Sequence, residues 1–100
     1  MGPDEPPKLD VLRAALDTSF RMHLGGGASL ELQLVEVAER DRQPGWESFS
    51  LLFVGLGPPF EQAIYVLEHD VVGSIELFLV PLQSLGEQQR YEAVFNRPVA

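Results

Sequence analysis

The chain has 100 residues, 45% of them hydrophobic and 22% charged, which is ordinary globular usage and excludes wholesale disorder. Fifteen Asp and Glu against seven Lys and Arg leave a net charge of −8. That balance argues against phosphate-driven binding to nucleic acid and against anionic membrane surfaces, and suits a basic partner. Cysteine is absent, so disulfides, thiolate chemistry and Cys-based metal sites are excluded.

Residues 1–7 hold three prolines, two acids and a glycine and read as a disordered acidic tail; the rest, residues 8–97, reads as a single β domain. Leu9, Leu12 and Leu16 recur at spacings of three and four, with Asp10, Arg13 and Asp17 elsewhere. This predicts a short amphipathic helix from Leu9 to Leu16, too short to stand alone and so docked on something larger.

After Asp17 the period changes to two. Phe20, Met22 and Leu24 alternate with Arg21 and His23, and Leu30, Leu32 and Leu34 alternate with Glu31 and Gln33 across Gly25-Gly26-Gly27. Two alternating runs joined by glycines predict a hairpin whose turn uses glycine's access to positive φ. A phosphate-binding reading of the same glycines lacks the Lys and the following helix it needs. The apolar phase slips by one residue between Leu34 and Val35, which predicts a bulge.

Pro44-Gly45 marks a turn, and Trp46 beside it reads either as a lid folded on the core or as an interface residue. Phe49 to Val54 is apolar on both faces and predicts a central strand covered on both sides. Gly57-Pro58-Pro59-Phe60 lacks PxxP spacing and reads as a rigid loop. Further strands are expected at Ile64–Leu67, at Ile75–Val80 ending near Pro81, and at Tyr91–Phe95, with Leu82 to Gln89 as a polar loop.

No strand-to-strand link has room for a crossover helix, so the sheet is antiparallel. The expected fold is all-β: a six-stranded antiparallel small barrel or curved two-sheet sandwich, with the helix plugging an end or covering a face. Phe20, Met22, Leu32, Leu51, Phe53, Leu67, Leu77, Leu79 and Phe95 are the expected core. If Leu30–Val37 were an edge, it would offer a modest homodimer that salt strengthens.

Glu68-His69-Asp70 is the one cluster of acid and imidazole. Hydrolytic chemistry orients a His with a carboxylate but also needs a nucleophile or a metal. Period-two geometry points His69 away from both acids, and His23 is the sole other imidazole. The competing reading is a histidine that caps a strand end. Ser48, Ser50, Ser74 and Ser84 lack the G-x-S-x-G context of a nucleophile elbow.

Tyr65-Val66-Leu67-Glu68-His69, Gly73, Leu77-Phe78-Leu79-Val80-Pro81 and Tyr91-Glu92-Ala93-Val94-Phe95-Asn96 together carry a resemblance. With Leu32–Val37 and Phe49–Phe53 upstream, residues 9 to 96 resemble a family of short bacterial proteins of unknown function sharing Y-x-L-E-H, a glycine, L-F-L-V-P and Y-E-A-V-F-N. The resemblance implies a stand-alone β domain and a loose link to phage-tail-like gene neighbourhoods. It transfers no catalytic residue.

The expectation is therefore a cytoplasmic, non-catalytic structural or protein-interaction module without cofactor or metal. Its partner is another protein or itself, not nucleic acid or membrane, and Trp46, Glu68 and His69 are the interaction candidates. The alternative is a small barrel holding an apolar ligand, oriented by His69 or Tyr65.

Overall fold

A computed structural model describes residues 9–39, 44–56, 60–83 and 86–98. The 1–7 tail and the Gly57-Pro58-Pro59 loop expected from the sequence lie outside the described residues. One helix, α1 (Leu9–Ala14), precedes six strands: β1 (Ser19–Gly25), β2 (Ala28–Glu39), β3 (Trp46–Leu56), β4 (Ala63–His69), β5 (Gly73–Pro81) and β6 (Gln88–Pro98). All pairings are antiparallel, and the strands close into a barrel in the order β1-β2-β3-β6-β5-β4. Of the two expected architectures, the barrel is the one formed.

β4, β5 and β6 are joined as a meander, and β3 lies beside β6, which is a Greek key. β3 and β4 are accordingly not neighbours in the barrel. β2 is paired on both sides, with β1 along its first half and with β3 along its second. It is not the edge of an open sheet, which the dimer expected through Leu30–Val37 presupposed.

The β1–β2 turn is Gly26-Gly27, with φ of 62° and 83°, the pair of positive values that a two-residue hairpin of type I′ demands. The bulge falls at Val35: Leu34 pairs with Phe53, but Glu36 pairs with Leu52. The extra residue turns Val37 inward opposite Leu51, so the phase slip in the sequence keeps both ends of β2 facing the core.

The helix is shorter than expected. Ala15 and Leu16 N–H groups donate to the carbonyls three residues back, which tightens the last turn, and Asp17 takes φ 67° and ends it. Leu12 and Ala15 are buried, but the tightened turn leaves Leu16 39% exposed, outside the stripe. α1 thus plugs the end of the barrel where β1 begins, and Arg13 Nη2 meets Glu39 Oε2 of β2 at 3.1 Å there.

Inside, Leu12, Phe20, Met22, Leu32, Leu34, Phe49, Leu51, Phe53, Leu67 and Leu79 are fully buried or nearly so, with Tyr91 among them. Phe20 and Phe53 meet edge to face at 5.3 Å. The sequence missed Leu12, Leu34, Phe49 and Tyr91 as core. Phe95, expected in the core, is half-buried and stacks on Phe49 at 4.6 Å, because it lies past the last β5–β6 pair. β3 is central, but only its inner face is fully covered; Leu52 and Val54 on its outer face are half-buried.

β6 is an eleven-residue strand rather than a short one. Its first turn of alternation buries Gln89, whose Nε2 donates to the carbonyls of Leu82 at 2.7 Å and Arg90 at 3.0 Å, so this polar group enters the core satisfied. β5 ends at Pro81, as expected. Pro81 follows the last β4–β5 pair, Ala63 with Leu79, so its missing N–H interrupts no ladder. No helix among the described residues is long and apolar enough to cross a membrane.

Candidate interaction surfaces

β4 alternates Tyr65, Leu67 and His69 inward with Ile64, Val66 and Glu68 outward, and this separates Glu68 from His69 as the periodicity predicts. His69 closes β4 opposite Gly73. Its Nδ1 accepts the N–H of Val71 at 3.0 Å and of Val72 at 3.1 Å, and so caps the three-residue turn to β5. Its Nε2 lies 2.7 Å from Thr18 Oγ1, which in turn donates to the Ala15 carbonyl. The ring also packs on Phe20, centroid to centroid 4.5 Å. One imidazole therefore ties the end of α1, the start of β1 and the β4–β5 turn together, and both of its nitrogens are engaged.

Glu68 is on the other side of the wall, where its Oε1 contacts His23 Nε2. Arg21 lies in register between Glu31 on β2 and Glu68 on β4. A polar groove of about 480 Å³ runs here, with Ser19, Arg21, Ser29, Glu31, Glu68 and Asp70 on its walls. Among the described residues no three His, Asp or Glu side chains come together as a metal site would require. A second, apolar cleft of about 350 Å³ lies between α1 and the β4–β5 turn, lined by Val11, Ala14, Ala15, Val71 and Val72 with Thr18 and His69.

Trp46 starts β3 opposite Pro98 and is 47% exposed; it stands outside the buried cluster and forms no lid. The structure does not bring Trp46 together with Glu68 and His69, since one opens β3 and the others close β4.

Two tyrosines hold the residues just before β4. The Tyr91 hydroxyl accepts the Phe60 N–H at 3.2 Å, and the Tyr65 hydroxyl donates to the Glu61 carbonyl at 2.6 Å. Burial, then the nearby Tyr91 and Glu61, pushes the Tyr65 phenol above its ordinary value of 10.0.

Sequence reasoning missed exposed apolar residues on the outer wall. Ile64 of β4 is paired with Phe78 of β5, and they are 67% and 51% exposed. Val94 of β6, two residues past the Val80–Glu92 pair that ends the β5–β6 ladder, is 54% exposed. The signal was present as apolar residues on the outward phase of three separate strands, but the pairing of Ile64 with Phe78 depends on register.

No curated protein and no solved structure matches the chain. A family model matches residues 7–95, nearly the whole of the barrel just described: the chain belongs to the family described as Domain of unknown function (DUF6916).

Proposed function

We propose that this barrel is a non-catalytic structural or protein-interaction module that works in the cytoplasm and binds a protein rather than nucleic acid or membrane. The observation that carries the reading is the exposed register pair of Ile64 on β4 and Phe78 on β5, with the exposed Val94 on β6. Scattered single apolar residues are normal on surfaces, whereas aligned ones mark interaction sites. The surface is favoured over the lumen because aromatic and leucine side chains occupy the interior. The hydrogen bonds of His69 also support a fold-holding role over a catalytic one. The gene neighbourhoods linked to the family resemblance would make the partner a component of a phage-tail-like assembly.

The test is a photoreactive phenylalanine analogue at position 78, used in the native host. A covalent protein adduct formed at that position, and not at the exposed Leu56 position, supports the reading. The absence of any adduct, together with a purified chain that stays monomeric at low and high salt, contradicts it.

A further inference from the structure

We propose that the β6-facing edge of β5 takes up an extended segment of a partner protein, with apolar and basic side chains two residues apart. This deepens the interaction-module reading and rests on it. The barrel is hydrogen-bonded all round, but the β5–β6 seam is short. Its register is Val80 with Glu92 and Pro81 with Tyr91, and the Leu82 N–H adds one bond to the Arg90 carbonyl at 2.8 Å. β5 runs back to Gly73 and β6 runs on to Pro98 without further pairing between them. Backbone groups alternate in direction along a strand. Those of Leu82 face β6, so those of Val80, Phe78, Glu76 and Ser74 do too, and beyond Val80 they meet no ladder.

An exposed stretch of unpaired strand main chain is a template for strand addition. The side chains on its outer face define what would be added. Phe78 presents an exposed apolar side chain, and Glu76 places a carboxylate two residues along β5. A strand laid along β5 would set one outward residue against Phe78 and the outward residue two away against Glu76. The first is satisfied by an aliphatic side chain and the second by Lys or Arg. A second copy of this chain is a poor occupant, since each copy carries a charge of −8.

The experiment is an NMR titration of the full chain with two synthetic octapeptides, Lys-Thr-Val-Thr-Lys-Thr-Val-Thr and its Glu-for-Lys counterpart, to about 1 mM. The lysine peptide is expected to shift the amides of Ser74, Glu76, Phe78 and Val94, and the glutamate peptide to leave them in place. Glu76→Pro removes an N–H that no ladder uses, so it should fold and weaken binding about tenfold or more. Glu76→Lys, which keeps the strand intact, should reverse the preference toward the glutamate peptide. Unmoved β5 amides, or equal binding by both variants, would overturn the proposal. An adduct at position 78 combined with no shift from the lysine peptide would leave the interaction-module reading standing and remove this one.

Discussion

Thr18 and His69 are 51 residues apart in sequence, and their side chains meet at 2.7 Å. The contact determines the state of the imidazole. Nδ1 accepts two backbone N–H groups, so in the neutral ring the hydrogen sits on Nε2 and is donated to Thr18, whose hydroxyl passes its own hydrogen to the Ala15 carbonyl.

This arrangement makes His69 a structural residue with a graded set of substitutions. His69→Ala should cost about 2–4 kcal/mol, from the stranded turn amides, the unpartnered Thr18 hydroxyl and the lost packing on Phe20. His69→Asn should cost less, because an Asn carbonyl can accept the N–H two residues on and keep the turn. Chemical denaturation of both variants, with long-range nitrogen–proton NMR on the native ring, checks the order and the tautomer. An Nδ1–H ring would refute the network.

Gly55 tests how tightly the barrel interior is filled. A Cβ built there would lie 2.5 Å from Leu32 Cδ2 and 3.4 Å from the Glu31 carbonyl oxygen. Leu32 is fully buried, so its side chain has little room to retreat. Gly55→Ala should therefore destabilise the fold by about 1–3 kcal/mol although alanine suits a strand no worse than glycine. Restored stability in the double variant Gly55→Ala with Leu32→Val would locate the clash.

The raised Tyr65 phenol gives a pH dependence with a definite sign. In the unfolded chain tyrosine ionises near its ordinary 10.0; in the barrel it holds its proton to higher pH. Just above pH 10 the folded state therefore binds more protons than the unfolded state, and stability falls as pH rises. The fall should be shallower in Tyr65→Phe, measured by denaturant unfolding across the alkaline range. Equal slopes in the two proteins would contradict the assignment.

Short-range features were legible in the sequence because their physics is short-range. The Gly26-Gly27 turn follows from glycine's φ freedom, and the bulge at Val35 follows from a one-residue slip in an otherwise alternating strand. What could not be read was set by closure. Nothing local places β3 beside β6 or Ile64 beside Phe78, so neither that exposed pair nor the half-burial of Phe95 could be foreseen. The polar run before Tyr91 read as loop because Gln89 looks like a surface residue until its amide is seen bonded to Leu82 and Arg90. For the candidate residues, period two separated Glu68 from His69, but the Thr18 partner of His69 lies on another element and carried no sequence signal.

Amide hydrogen exchange along β5, read residue by residue by NMR on the free chain, tests the open edge most directly. The N–H groups of Ile75, Leu77 and Leu79 face β4 and should exchange slowly, while those of Glu76 and Phe78 face the side of β5 that has no ladder partner and should exchange much faster. An alternating slow and fast pattern from residue 75 to residue 79 is the predicted result. Protection at Glu76 and Phe78 equal to that at Leu77 would mean that β5 is paired on both sides, and would contradict the account.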